Sequence, residues 1–296
     1  MSEQQRQVLD EILRGGPLDL AADLTEQRRI FEKMTAAHPL PADVRTSPRE
    51  LGGVPAITVG IDGTDPAGTV LYFHGGAYVI GSAQSSLGLA AEIARRAGVR
   101  VITVDYRLAP ENPDPAAVED ALASYGALLS ETEPGQIAVA GESAGGGLAL
   151  ALLIAARDTG LPMPASATVF SPFADLTLSG GSIAGKSSVD PALTEAGLRL
   201  RSGQYIAAGD PATPAASPVF ASLKGLPSLL IQAGSHEILL DDAVRLATRA
   251  AHDDVAVQLQ VTPGVPHVFQ AFAELLDEAG TALDEAGRFI AASVRR

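Results

Sequence analysis

The sequence predicts an α/β protein in which helices cover both faces of a mostly parallel β-sheet. From Val54 onward, short runs rich in β-branched residues alternate with helix-length runs, and glycine or proline marks many of the junctions. This alternation is typical of parallel strands joined by crossover helices. The 296 residues are enough for one large domain with a buried core, and no linker divides them into two.

The order of the elements follows from the same patterns. Residues 1–50 predict a helical arm with helices over 4–13 and 24–36, and residues 51–296 predict the main domain. Glycine-, serine- and proline-rich turns at about 176–215 interrupt the alternation and predict an insertion. The predicted strands are VPAITVGI, TVLYF, VRVITVDY, QIAVAGES, ASATVFSP, LPSLLIQAG and VAVQLQV. The predicted helices of the main domain are LGLAAEIARRAG, AAVEDALASYGALLS, LALALLIAARD, residues 242–251 and about 269–293.

Composition excludes several classes of partner and chemistry. A formal net charge of −14 repels nucleic acid and anionic membrane surfaces, so neither is predicted as a partner. The longest wholly apolar run, Leu148–Ala156, has 9 residues, whereas a membrane helix needs roughly 20. The polar start MSEQQRQVLDEILRGG lacks the apolar core of a signal peptide, so we expect a cytoplasmic protein. The absence of cysteine excludes disulfides, thiolate metal ligands and a cysteine nucleophile.

A glycine-rich turn between a strand and a helix is the most distinctive motif. A phosphate-binding P-loop would end in Gly-Lys-Ser/Thr, but three glycines follow Ala144, and a dinucleotide-binding fingerprint needs glycine where Ser143 stands. Residues 141–145, Gly-Glu-Ser-Ala-Gly, instead match G-x-S-x-G, in which small flanking residues allow a tight turn that exposes the serine hydroxyl. For so short a pattern, a turn without chemical function is the alternative.

A second loop supplies what a nucleophilic serine needs at the substrate carbonyl. The segment FHGGAYVIGS follows a strand, and its glycines leave backbone NH groups able to bind a developing negative charge. We predict an oxyanion hole formed by the NH groups of Gly76, Ala77 and Ala144, with Gly75 shaping the turn. A simple turn is the alternative for this loop taken alone.

A serine hydroxyl is a weak nucleophile at neutral pH and needs a base. His267 lies in TPGVPHVFQAF, directly after the last predicted strand, and follows Ser143 in the chain order Ser, acid, His. His267 is therefore the predicted base. We expect His74 to fix the segment FHGGAYVIGS, here called the glycine loop. His236 is a weak competitor for the role of base, and His38 and His252 lie away from strand-end loops.

The acid is expected after the penultimate strand, where the sequence offers Glu237, Asp241 and Asp242. The two aspartates adjoin a predicted helix start, where capping and dipole roles are common. Glu237 lies outside that helix start and is the predicted acid.

Taken together, the motifs resemble those of the bacterial hormone-sensitive-lipase family of α/β-hydrolase esterases. The resemblance rests on HGGAY, VDYRLAPENPDPAAVEDA, GESAG, SPFADL, GSHEILLDD and PHVFQAF, in this order over about residues 50–295. It implies an eight-stranded sheet, a helical cap built from the arm and the insertion, and hydrolysis of short acyl esters without a cofactor. Three positions depart from the usual family pattern: Ala77 in place of a third glycine, and Glu142 and Glu237 in place of aspartates. Asp105 and two residues of the YRLAPE motif, Tyr106 and Arg107, are expected to brace the active-site loops.

The sequence thus predicts a serine carboxylesterase that acts through an acyl-enzyme on acyl chains of about two to eight carbons, because a capped pocket limits length. The alternatives are a lactone, aryl amide or thioester hydrolase with the same triad, and a non-catalytic ligand-binding protein on this fold. Strand 255–261 alternates valine or leucine with glutamine and carries no charge or proline, so we also expect a homodimer through this edge.

Overall fold

The computed structural model describes residues 3–294, and residues 1, 2, 295 and 296 of the expected segments lie outside it. Eight strands form one sheet: β1 (Val44–Leu51), β2 (Val54–Ile61), β3 (Thr69–Phe73), β4 (Arg100–Val104), β5 (Ile137–Glu142), β6 (Ser166–Phe170), β7 (Ser228–Gly234) and β8 (Val257–Thr262). The helices of this range are α1 (Glu3–Arg14), α2 (Leu24–Ala36), α3 (Leu87–Ala97), α4 (Ala116–Leu129), α5 (Ala144–Asp158), α6 (Ser182–Gly185), α7 (Glu195–Ile206), α8 (Leu240–His252) and α9 (Asp277–Ser293).

The strand order in the sheet is β1-β2-β4-β3-β5-β6-β7-β8. The pairs β1/β2 and β2/β4 are antiparallel, and all the other pairs are parallel. Side chains of α3 and α9 pack on one face and those of α4, α5 and α8 on the other, so the central strands β3 and β6 are buried along their whole length. The predicted α/β class and the eight-stranded, mostly parallel sheet are confirmed.

Strand β1 corrects the expected boundary of the arm. Residues 44–50 were expected to belong to the helical arm, but they pair with β2 through the full register from Val44 to Leu51. The sequence VRTSPREL has no apolar alternation because most of its side chains are exposed at the edge of the sheet. Proline and charged residues are common in edge strands, and they disrupt the apolar pattern by which a strand is usually predicted.

Two C-terminal elements also differ from expectation. The last strand begins at Val257 instead of residue 255, and Leu259 and Val261 on its apolar side are 37% and 38% exposed. The expected single helix from about 269 to 293 is a short 3₁₀ turn, Phe269–Phe272, followed after a break by α9. Apolar residues recur at helix-like spacing through FQAFAELLDEAG and hide this break, because periodicity does not distinguish a short 3₁₀ turn from an α-helix.

The two arm helices dock at different places. Leu9 of α1 is fully buried against Val265 and Phe269 of the loop after β8. Helix α2 lies beside the loop after β3, which Arg28 contacts. Among the described residues, no helix has the length and apolar character required to cross a membrane.

Candidate active site

Ser143 occupies a sharp turn between β5 and α5. Its backbone has φ +54° and ψ −121°, a conformation that residues other than glycine rarely adopt. Both flanking glycines are required by close backbone contacts: a Cβ on Gly141 would lie 2.3 Å from the carbonyl oxygen of Gly145, and a Cβ on Gly145 would lie 2.0 Å from that of Phe73. The turn directs the serine side chain away from the strand toward the loop after β8.

The structure brings Ser143, His267 and Glu237 into one chain of hydrogen bonds. Oγ of Ser143 lies 2.9 Å from Nε2 of His267, and Nδ1 of His267 lies 2.7 Å from Oε2 of Glu237. The other carboxylate oxygen, Oε1 of Glu237, accepts a hydrogen bond from the NH of Gly234 at 3.2 Å. Glu237 is fully buried and His267 is 9% exposed. With Nδ1–H donating to the carboxylate, Nε2 is free to accept the serine proton.

The competing acids have other partners. Asp241 accepts a hydrogen bond from the NH of Ser182 at 2.9 Å, and Asp242 accepts from the NH groups of Ala174 and Asp175, both at 2.9 Å. The two aspartates, predicted to cap the helix, instead hold the start of the inserted segment. Burial raises the pKa of Asp242 to about 7, although an ion pair with Arg245 opposes this shift.

The loop after β3 presents backbone NH groups beside Ser143. The NH of Gly75 donates to Oε1 of Glu142 at 2.8 Å and is therefore occupied. Within residues 3–294, no protein acceptor is found for the NH groups of Gly76, Ala77 or Ala144. These three NH groups are available to a developing negative charge, and Gly75 instead fixes the turn.

This loop has an unusual backbone. Gly76, Ala77 and Tyr78 are consecutive left-handed residues with φ +115°, +51° and +64°. Left-handed geometry at a residue other than glycine costs ~1–3 kcal/mol and persists only where the surroundings impose it. The ring of Tyr78 stacks on that of Tyr205 from α7, with 4.0 Å between centroids and 10° between planes. The inserted segment therefore packs directly on this loop.

Glu142 connects the serine turn to the glycine loop. Its Oε1 accepts from the NH of Gly75 and, at 3.0 Å, from Oγ of Ser86. Burial raises the pKa of this carboxyl to about 7, while its hydrogen bonds act in the opposite direction. The hydroxyl of Tyr72 faces the same carboxyl group, and hydrogen bonding from it also lowers the pKa of Glu142.

His74 lies under the glycine loop, where it stacks on Tyr106 with 4.2 Å between ring centroids. Burial lowers the pKa of His74 to about 4, so its ring is neutral at neutral pH. The hydroxyl of Tyr106 donates to the carbonyl oxygen of His74 at 2.7 Å, and Oδ1 of Asp105 accepts from the NH of Ala83 at 3.1 Å. Nδ1 of His74 also donates to the carbonyl oxygen of Gly75 at 2.7 Å, so His74, Asp105 and Tyr106 contact the loops around the site.

Three polar residues outside the predicted site hold its loops. Oδ2 of Asp190 accepts from the NH of Ile238 at 2.8 Å, and Oγ of Ser182 donates to the carbonyl oxygen of the same residue at 2.6 Å. Oγ of Ser171 accepts from the NH of Val268 at 3.0 Å. Ile238 directly follows Glu237, and Val268 directly follows His267. Each contact therefore fixes the backbone next to a residue of the hydrogen-bond chain. Only SPFADL, which contains Ser171, gave a signal for any of them.

Comparisons with known proteins show the family to which the chain belongs. Residues 70–271, more than half of the chain, match the model of the alpha/beta hydrolase fold. An acetyl-hydrolase of Streptomyces hygroscopicus is 44% identical over 223 residues, 75% of each protein. An esterase of Acinetobacter venetianus is 33% identical over 264 residues, which are 88% of this chain and 87% of that protein. The chain is a member of the α/β-hydrolase fold family.

The solved structures define the subgroup. A crystal structure of an esterase from the bacterial hormone-sensitive-lipase family superposes with a TM-score of 0.95 and 38% identity, covering 99% of both chains. A crystal structure of the esterase EstE5 soaked with p-nitrophenyl butyrate superposes with a TM-score of 0.94 and the same identity and coverage. Within the α/β-hydrolases, the chain belongs to the bacterial hormone-sensitive-lipase family of esterases. It is a carboxylic ester hydrolase, as the names of its relatives indicate.

The raised pKa of Glu142 gives a testable pH dependence. Because this pKa is about 7 in the folded protein against 4.5 for the unperturbed group, the folded state binds more protons than the unfolded chain between these values. The free energy of unfolding should therefore fall as the pH rises across this window. In Glu142→Gln the amide does not titrate, so the stability of the variant relative to the wild type should increase by about 1–3 kcal/mol from pH 5 to pH 8.

Urea denaturation of both proteins at the two pH values measures this difference. Asp242, whose pKa is also raised, is present in both proteins, so its contribution to the pH dependence cancels. The same relative stability at pH 5 and pH 8 would show that Glu142 titrates normally.

Proposed function

We propose that Ser143, His267 and Glu237 are the catalytic triad of a serine carboxylesterase that hydrolyses short to medium acyl esters. The observation that carries the proposal is the continuous hydrogen-bond chain from Oγ of Ser143 through His267 to the buried Glu237. Oγ of Ser143 attacks the ester carbonyl while Nε2 of His267 takes its proton. The imidazolium then returns a proton to the departing alcohol, which leaves an acyl group on the serine.

Deacylation repeats these steps with water. His267 removes a proton from the water molecule, the resulting hydroxide attacks the acyl carbonyl, and the proton returns to Oγ as the acid departs. Glu237 keeps the imidazole in the required tautomer and stabilises its charged form. In both halves the negative charge on the carbonyl oxygen is bound by the NH groups of Gly76, Ala77 and Ala144, which have no other acceptor within residues 3–294.

The helical arm and the inserted segment form the proposed cap over this site. They contact each other: the guanidinium of Arg201 on α7 donates to the carbonyl oxygen of Ala22, and a Cβ on Gly197 would lie 2.9 Å from Cβ of Leu20. The inserted segment also packs on the glycine loop through Tyr205. A cap held this closely limits the space for an acyl chain.

Acyl length provides the first test. We expect turnover of p-nitrophenyl esters whose acyl chains have about two to eight carbons. Long-chain emulsified triglycerides should be poor substrates, because a capped pocket limits the length of the acyl chain. The names of two relatives, an acetyl-hydrolase and an ethyl acetate hydrolase of Pseudomonas putida, support short acyl groups. Initial rates across the ester series, beside lactones and anilides, measure the preference; triglyceride turnover equal to that of the short esters would contradict it.

The identity of the acid provides the second test. Glu237→Gln should lose at least about a hundredfold in kcat while remaining folded, because the amide no longer stabilises the imidazolium or fixes its tautomer. Asp241→Asn is the matched control. Asp241 binds the NH of Ser182 outside the triad, so the kcat of this variant should stay near that of the wild type. Steady-state kinetics with p-nitrophenyl butyrate measures both. An inactive Asp241→Asn beside an active Glu237→Gln would transfer the acid role to Asp241.

The edge strand β8 supports a homodimer as the proposed assembly. It pairs with β7 on one side, and no other strand among the described residues covers its second side. Leu259 and Val261 of β8 and Val244 of the neighbouring α8 are between 37% and 38% exposed. A second copy could extend the sheet across this edge and cover the three side chains. The cytoplasmic location stays a prediction.

Light scattering at micromolar concentration should give twice the chain mass of 30.3 kDa. Replacing both Leu259 and Val261 by lysine should give a monomer, because charge at a sheet edge opposes pairing. Ile12→Lys on α1, where Ile12 is 54% exposed, should leave the dimer intact. A wild-type monomer at this concentration would refute the dimer.

A further inference from the structure

Arg28 of α2 reaches from the helical arm to the loop that follows β3. Its Nε donates to the carbonyl oxygen of Val79 at 2.8 Å, and its Nη2 donates to that of Ala109, also at 2.8 Å. The NH of Ala109 in turn donates to the carbonyl oxygen of Tyr78 at 3.0 Å. One guanidinium therefore joins α2, the glycine loop and the YRLAPE segment.

The position of this guanidinium is fixed by Glu111. The two carboxylate oxygens of Glu111 accept from Nη1 and Nη2 of Arg28, each at 2.7 Å. Such a two-point pair holds a planar guanidinium in one orientation, which a lysine ammonium cannot reproduce. The side chain of Arg28 is 28% exposed, so water competes only in part for these donors.

The contact with Val79 lies close to the proposed oxyanion donors. The NH groups of Val79 and Ile80 both donate to the carbonyl oxygen of Gly76 at 3.0 Å. Val79 is thus tied to Gly76 by a tight turn and carries the carbonyl oxygen that Arg28 binds. The backbone between them comprises Ala77 and Tyr78, whose left-handed conformation needs support from outside the loop.

The geometry points to Arg28 as a positioning residue for the oxyanion hole. This inference rests on the proposed function. By binding the carbonyl oxygen of Val79, Arg28 holds the left-handed turn in which the NH groups of Gly76 and Ala77 point toward the carbonyl oxygen of the substrate. The helical arm thereby acts on the rate of the chemical step and does more than cover the pocket.

The surroundings of Arg28 suggest substrate binding as the alternative role. With Glu111, Glu32, Gly81, Leu108 and Asn112 it lines a cleft of about 340 Å³. A residue that binds substrate in the ground state changes KM, whereas one that aligns donors for the transition state changes kcat. The separation of kcat from KM therefore distinguishes the two roles.

The test compares Arg28→Met with Arg29→Met, using p-nitrophenyl butyrate as substrate. Arg29 is the next residue of α2, is exposed, and pairs with Glu26 of its own helix. We expect Arg28→Met to lower kcat between about 10- and 100-fold, since small misplacements of catalytic donors have effects of this order, with KM changed less than about threefold. Arg29→Met should match the wild type, and circular dichroism should show both variants folded.

Inhibition by a trifluoromethyl ketone gives a readout that a purely structural role would not affect. Its adduct with Ser143 carries an oxyanion, so the affinity of Arg28→Met for it should weaken by about the same factor as kcat/KM. Arg28→Lys keeps one of the carbonyl hydrogen bonds and should have an intermediate kcat.

A kcat of Arg28→Met equal to that of Arg29→Met, or an increased KM at unchanged kcat, would overturn the inference. If Arg28→Met does not fold, Arg28→Lys against Arg29→Lys decides: a reduced kcat at unchanged KM supports the inference, and a wild-type kcat overturns it. Ser143→Ala separates this inference from the proposed function. Retained esterase activity in that variant refutes the triad, whereas an inactive Ser143→Ala beside a fully active Arg28→Met refutes only the role of Arg28.

Discussion

The first turn of α5 lies directly against the end of β3, and the geometry of the site depends on this contact. A Cβ on Gly145 would lie 2.0 Å from the carbonyl oxygen of Phe73 and 2.5 Å from that of His74, so only glycine allows the two backbones to approach. On the other side of Ser143, Glu142 binds the NH of Gly75. The serine turn and the glycine loop are thus joined on both sides of the nucleophile, which fixes the separation between Oγ and the free NH groups. Electrostatic stabilisation of an oxyanion requires such a preset separation.

The remaining loops of the site are held from the inserted segment and the arm. Asp190 and Ser182 bind the backbone NH and carbonyl groups of Ile238, directly after Glu237, while Tyr205 stacks on Tyr78 in the glycine loop. Leu9 of α1 packs against the loop that carries His267. Each functional loop is therefore restrained by a segment far away in sequence. This arrangement limits independent motion of the loops and keeps the hydrogen-bond chain within its observed distances.

The sequence predicted the parts of this protein that depend on local patterns. The alternation of elements gave the sheet, and G-x-S-x-G, the HGGAY loop and the order Ser, acid, His led to the residues that the structure brings together. Strand β1 escaped prediction because an exposed edge strand needs no apolar alternation. Asp190 and Arg28 escaped it because their partners, Ile238 and Val79, are 48 and 51 residues away, and no local signal marks such a contact.

The segment after β7 shows how neighbouring acidic residues separate into different roles. Helix α8 begins at Leu240, so Asp241 and Asp242 are carried on its first turn and Glu237 precedes it. The helical geometry directs the two aspartates to the inserted segment, where they bind the NH groups of Ser182, Ala174 and Asp175. Glu237 lies before the helix, and its longer side chain spans the distance from the strand end to Nδ1 of His267. Asp190 and Ser182 bind the NH and carbonyl oxygen of the next residue, Ile238, and so fix the point of the backbone from which the Glu237 side chain extends to His267.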